Sequence, residues 1–199
     1  MALVKKIIMK IKDVNILVVG DLHCPFDLDE YLDFLKDVYK KYKCSKVIFI
    51  GDLIDNHYTS YHEVSIEAEY SGKQELELAI KRVQRYYKAF NKKGTICLIG
   101  NHDRLIMRRA QTSQIPSKWI KSYKEVLEVP NWEFTERYVF NDIQFVHGEG
   151  GQASTKAKAD MMNTISGHYH TLAYTQHFVG AKYRVFGMQV GCGIDFKSY

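Results

Sequence analysis

The 199 residues, 46% hydrophobic and 26% charged, are enough for one domain with a substantial core and exclude disorder as the default state. Thirteen Gly and three Pro exclude collagen-like and proline-rich architectures, and no apolar run reaches the ~18 residues of a membrane span. The net charge of +5 suits an anionic substrate.

In chain order, Lys10 and Lys12 interrupt the apolar stretch Ile7, Ile8, Met9 too early for a signal-peptide core, which points to a cytoplasmic protein. Ile16 to Val19 reads as a strand buried on both faces and closed by Gly20. From Leu28 to Tyr42 the apolar residues recur at three- and four-residue steps, which predicts an amphipathic helix. Val47 to Ile50, closed by Gly51, is the next strand. A polar, aromatic loop runs to about Gly72, a helix from Lys73 to Phe90, and a third strand from Thr95 to Ile99, closed by Gly100. Strands alternating with helices predict parallel pairing with crossover connections.

The second half is richer in strands. A helix starts near Leu105, and a short one is expected from Lys118 to Leu127. Phe134 to Phe140 and Ile143 to Val146, joined by Asn141-Asp142, read as a hairpin. Gln152 to Met162 is expected to be helical, and strands are expected at Ile165, Ala173 to Val179 and Tyr183 to Val190. No linker, repeat or low-complexity tract interrupts residues 1–199, so a single domain with two sheets is expected. Cys24, Cys44, Cys97 and Cys192 are scattered without close pairs and are expected as reduced, buried or half-buried thiols.

Each strand end of the first half runs into metal-binding residue types. Gly20 leads to Asp21 and His23, Gly51 to Asp52 and Asp55, and Gly100 to Asn101, His102 and Asp103. His147-Gly148 follows the strand ending at Val146, and Gly167-His168-Tyr169-His170 follows Ile165. Five of the eight histidines therefore sit at strand-to-loop transitions. Ligands of open α/β sheets bind just beyond the carboxyl ends of strands, so these loops are expected to converge on one crevice. Any one piece is an ordinary turn or a structural histidine; five in order are specific.

These blocks, Asp-x-His, Gly-Asp-x-x-Asp, Gly-Asn-His-Asp, a separate His and Gly-His-x-His, resemble the signature of the calcineurin-like metallophosphoesterases across Asp21 to His170. The Tyr-rich loop after Asp55 and the Val190 to Asp195 ending also look like small bacteriophage-encoded members, which would place the chain in a host cytoplasm. Related chains usually continue further, so Tyr199 is a candidate truncation point. The resemblance implies a four-layer α/β/β/α sandwich of two mixed sheets flanked by helices. It implies two divalent metals, one held by Asp21, His23, Asp52 and His170 and the other by Asp52, Asn101, His147 and His168, with Asp52 bridging. Oxygen and imidazole donors without thiolates suit manganese, the favoured ion, or iron, zinc or nickel.

By the same resemblance a metal-bridging hydroxide attacks a phosphate ester, most readily a diester. His102 would be the general acid, Asp103 would orient it, and Asp55 would support the first metal from behind its ligands. Four further residues are candidates for substrate contact. Arg104 and Arg108 lie four apart at a helix start, and His57 and Tyr58 belong to the loop 56–62, which offers planes for a nucleotide or nucleic-acid base. Serine/threonine protein phosphatases of the superfamily carry Arg-Gly after the second block and Glu in the third. Here Asn56, His57 and Asp103 stand there, which disfavours a protein phosphatase; a phosphomonoesterase is a lesser alternative. The alternatives are a nuclease related to double-strand-break repair enzymes, whose added DNA-binding cap this length does not accommodate, and a non-catalytic scaffold, which usually lacks several of these histidines.

Overall fold

The computed structural model describes residues 14–60, 70–91 and 94–197. The lysine-interrupted N-terminal stretch and Tyr61 and His62 of the aromatic loop lie outside the described residues. The first half comprises β1 (Ile16–Val19), α1 (Tyr31–Lys41), β2 (Lys46–Phe49), α2 (Gly72–Ala89), β3 (Thr95–Leu98) and α3 (Leu105–Thr112). The second comprises α4 (Tyr123–Val126), β4 (Trp132–Thr135), β5 (Arg137–Phe140), β6 (Ile143–Val146), α5 (Ala153–Asp160), β7 (Asn163–Ser166), β8 (Ala173–Val179) and β9 (Arg184–Val190).

Two sheets result. The first has the order β1-β2-β3-β4 and is wholly parallel; the second has the order β5-β6-β7-β9-β8, parallel in the middle with an antiparallel hairpin at each end. Alternation along the buried strands assigns their faces. Val47, Phe49 and Cys97 pack outward with Leu32 and Leu35 of α1 and Ala79, Val83 and Tyr86 of α2. Ile48, Ile50, Ile96 and Leu98 point the other way, onto Phe145 and Ile165 of the second sheet. On the far side α5 lies so close to β9 that a Cβ on Gly187 would meet the Ser154 nitrogen at 2.5 Å. The layers are therefore helices, sheet, sheet and helix, as expected.

Local sequence explains where the elements depart from expectation. The stretch Phe134 to Phe140 is two strands: Thr135 pairs with Leu98 in the first sheet, whereas Arg137 pairs with Val146 in the second. The chain changes sheets at Glu136, and the Thr135 hydroxyl donates to the Arg137 carbonyl across the step at 3.0 Å. The Asn141-Asp142 turn has both residues in the left-handed region, φ 49° and 60°, as a two-residue hairpin turn requires. The helix expected from Lys118 begins only at Tyr123, because Ser122 and Glu125 form a capping box; Ser117–Trp119 is a separate 3-10 turn behind Pro116. A second capping box, Ser71 with Gln74, starts α2.

Candidate active site

The loops after β1, β2 and β3 meet those after β6 and β7 at one end of the two sheets. Bridges Asp21↔Cys192 and Cys24↔Ile54 tie the first loop to its neighbours, and the Asp52 carbonyl accepts from the Leu22 and His23 amides at 3.1 and 2.9 Å. His23, Asp52 and His168 hold left-handed backbone at φ 47°, 47° and 72°. Non-glycine residues in that region are uncommon and cost of order 1–3 kcal/mol each, so the surrounding hydrogen bonds must enforce it. Gly51, at φ +110°, has no room for a side chain: a Cβ there would meet His147 Nδ1 at 2.5 Å.

Among the described residues three clusters of donor atoms form, one of them His23, Asp55 and His102; the other two contain the expected metal-site residues. Asp21, His23 and His170 make one, with His170 Nε2 3.4 Å from Asp21 Oδ2 and 3.2 Å from His23 Nε2. Asp52, His147 and His168 make the other, with His147 Nε2 3.0 Å from Asp52 Oδ2 and His168 Nδ1 3.3 Å from His147 Nε2. Asn101 Oδ1 joins the second cluster, 2.9 Å from His147 Nε2 and 3.0 Å from His168 Nδ1. The clusters adjoin: Asp52 Oδ2 is also 3.5 Å from His23 Nε2, and the His168 amide donates to Asp21 Oδ2 at 2.8 Å. All seven expected metal-site residues are thus brought together.

The donor set fits divalent cations. Asp21 and Asp52 are buried with Asp55 and Asp103, and Asp21 Oδ1 has no hydrogen-bond partner among the described residues despite being wholly enclosed. Buried carboxylates that crowd together need compensating positive charge. Burial alone would raise Asp52, yet the hydrogen bond and charge of His147, with His23 and His102, hold it below the usual carboxylate range. Burial would lower His147, but the Asp52 carboxylate pushes it up to about 9.

Asp103 does not do what the sequence suggests. Its buried carboxylate accepts backbone N–H groups, Gly100 at 2.8 Å, Leu53 at 3.1 Å and Ile54 at 3.2 Å, and makes no contact with the His102 ring. The partner of that ring is Asp55: His102 Nδ1 lies 2.9 Å from its carbonyl and 3.1 Å from its Oδ1. Asp55 Oδ1 also meets His23 Nδ1 at 2.7 Å, so one carboxylate orients two imidazoles. Burial would raise Asp55, but the hydrogen bonds from His102 and His23 bring it down to about 2. Burial, then the Asp52 charge, raises Asp103 to about 7.

The family model for calcineurin-like phosphoesterases matches residues 14–173. The chain belongs to that family. Among solved structures, the nuclease MPE of Pseudomonas putida is similar, at 15% identity and a TM-score of 0.38, the match covering 88% of this chain and 77% of that one. No curated protein matches. The phosphoesterase family implies metal-dependent hydrolysis of phosphate esters, and the His and Asp clusters are groups able to hold the metals. Among the described residues no helix is long and apolar enough to cross a membrane.

The expected substrate residues are placed less simply. Tyr58 is turned inward, its ring against Gly72 at the start of α2 and its hydroxyl donating to Asn56 Oδ1 at 3.4 Å, so one face is spent on packing. His57 is half exposed on a 3-10 turn, and its Nδ1 is 3.9 Å from Asp55 Oδ2. Arg104, at the N-terminal boundary of α3, lies one helical turn before Arg108, whose amide donates to its carbonyl at 2.9 Å; the Arg104 side chain pairs with Glu149 of the loop that follows His147, while Arg108 is exposed.

Two supporting residues of this phosphoesterase were missed. Gln189 of β9 is buried beneath the two-histidine loop, donates to the Gly167 carbonyl and accepts from Ala153 N at 3.1 Å and Ser166 Oγ at 3.2 Å. Its signal was a polar residue on the face of β9 that also carries Gly187. Glu75 of α2 is buried and accepts the His57 amide at 2.8 Å. It was hidden within the first turn of a helix, where an acid is ordinary.

Proposed function

We propose that this phosphoesterase is a single-domain phosphodiesterase that works with two divalent transition metal ions, manganese foremost, in the reducing cytoplasm that its four free thiols suit. The observation that carries this reading is Asp52 Oδ2, one buried oxygen within 3.5 Å of a histidine nitrogen of each donor cluster. Asp21, His23, Asp52 and His170 would hold one ion, and Asp52, Asn101, His147 and His168 the other. Bound ions of this kind polarise phosphoryl oxygens and lower the pKa of water so that a nucleophile exists near neutrality.

The chain's own residues set up the rest. Only Asp21 and Asp52 carry charge among the seven ligands, so the ligands do not neutralise two divalent ions and a phosphate anion is attracted. Asp55 fixes the ring of His23 and that of His102. With Nδ1 of His102 committed to Asp55, its Nε2 is the nitrogen that delivers a proton to the leaving oxygen. Asp103 shapes the loops through its three backbone contacts, and Asn56 Nδ2, donating to the His102 carbonyl at 3.0 Å, holds the same turn where a protein phosphatase carries arginine. Elemental analysis and a metal-supplemented panel of nitrophenyl mono- and diesters test the reading. Two metals per chain and faster diester than monoester hydrolysis are expected; protein that retains no metal and cleaves neither would refute it.

A further inference from the structure

Residues 104–124 hold six Lys and Arg and no Asp or Glu; the chain's +5 less these six leaves the remainder at −1. The net positive charge of the protein thus falls to one stretch of chain, in which Arg104 is paired with Glu149. That stretch departs from the candidate site directly after Asp103 and returns to it at Tyr123, whose hydroxyl donates to the Asp103 carbonyl at 3.1 Å. It is an excursion pinned at both ends beside His102. On the outbound limb, Arg109 of α3 donates to the Thr59 and Ser60 carbonyls, which holds α3 against the loop that follows Asp55.

The return limb carries Trp119, 83% exposed and the most exposed of the large hydrophobic side chains described, between the exposed Lys118 and Lys121. Trp132, by contrast, is wholly buried. Tyr123 lies four positions after Trp119, so even a fully extended chain keeps their Cα atoms within about 14 Å. A solvated helix face intersperses both signs of charge and exposes no tryptophan. Here cations flank an open indole four positions from Tyr123, whose hydroxyl bonds the carbonyl next to His102. Cations that track a backbone and an aromatic plane that stacks on bases are the two elements by which single-stranded nucleic acid is bound. Within a duplex the base faces are already stacked, so a protruding indole selects unpaired strands.

We propose that residues 104–124 form a docking strip for single-stranded nucleic acid, which delivers a backbone phosphodiester to the metal clusters. The proposal rests on the phosphodiesterase reading for its substrate but not for its binding surface. The test is a fluorescence titration with an oligodeoxythymidylate of about 12 nucleotides, phosphorothioate-linked to resist hydrolysis, alongside an oligouridylate, a blunt DNA hairpin and polyglutamate.

Quenching of the exposed indole by either single strand, weaker with rising salt and stronger than with the hairpin, is expected. Trp119→Ala should weaken binding about tenfold and Trp119→Phe much less, since the phenyl ring still stacks. Lys118→Ala with Lys121→Ala should make the log Kd against log salt slope shallower by about 1.4. In steady-state assays Trp119→Ala should lower the ratio of kcat/KM on oligonucleotide to that on a nitrophenyl diester. Equal binding of hairpin and single strand, equally effective competition by polyglutamate, or unaltered affinity in Trp119→Ala would overturn the strip. A chain that hydrolyses no ester but still shows the Trp119-dependent quench would defeat the phosphodiesterase reading and leave the strip standing; hydrolysis of nitrophenyl diesters without that quench would do the reverse.

Discussion

Asp55 Oδ1 lies 3.1 Å from His102 Nδ1 and binds the ring that a reading of the third block alone assigns to its neighbour Asp103. The consequence is a division of labour between two buried carboxylates: Asp55 holds imidazoles and Asp103 holds backbone. An acid matters in proportion to how badly the leaving group needs its proton. His102→Asn should therefore slow diesters with alkoxide leaving groups by about 10²–10⁴-fold and nitrophenyl diesters far less, with both metals kept. A plot of log rate against leaving-group pKa should be steeper for the variant than for wild type; parallel lines would remove the acid role.

Asp103→Ala should act first on stability. Its carboxylate accepts three buried amide donors, and orphaning them costs about 1–3 kcal/mol each, with some relief from water entering the cavity. A loss of about 3 kcal/mol or more in denaturant unfolding is expected. A variant as stable as wild type but inactive would return Asp103 to a direct catalytic role.

Gln189 supports the histidine loop from below through the Gly167 carbonyl. Gln189→Leu should lower metal affinity about 10- to 100-fold, as loss of groups that orient ligands does, with a larger loss at the cluster containing His168 than a uniform decline in stability produces. Metal titration followed by calorimetry reads this directly. Unchanged affinity with a lowered Tm would make Gln189 a packing residue only.

Glu75 is held above the usual carboxylate range, first by burial and then by the Asp55 charge. The folded state therefore binds its proton more tightly than the unfolded state. The resulting stability is present below the unfolded pKa of about 4.3 and is lost as pH rises through the higher folded value. Glu75→Gln keeps an acceptor for the His57 amide without the charge. Its stability relative to wild type should rise as pH is raised above about 4.3; a difference independent of pH would contradict the shift.

The strand-end pattern was legible because short apolar runs closed by glycine leave little choice of where the polar loops emerge, and Asp, Asn and His at those exits had one crevice to share. The clustering of these donor groups followed. Which way a side chain turns within a loop was not legible: Asp55 and Asp103 both follow strands, and only the fold shows that Asp103 faces the amides of Gly100, Leu53 and Ile54. The sheet change at Glu136 falls within three polar residues in a row, Thr135-Glu136-Arg137, which do break the alternation; because Phe134, Tyr138 and Phe140 keep one phase on either side of that break, the stretch still describes one strand where there are two. Arg104 and Arg108 have helical spacing and the fold keeps it, but spacing alone does not reveal that Glu149 takes up the Arg104 side chain.

The two-cluster account stands on Asp52. Elemental analysis of purified Asp52→Asn, beside wild type and with folding confirmed by thermal melting, tests it most directly. One carboxylate oxygen faces histidines of both clusters, so the account predicts two metals per chain in wild type and loss of both in the variant, with activity abolished. A folded Asp52→Asn protein that still carries two metals per chain would contradict it.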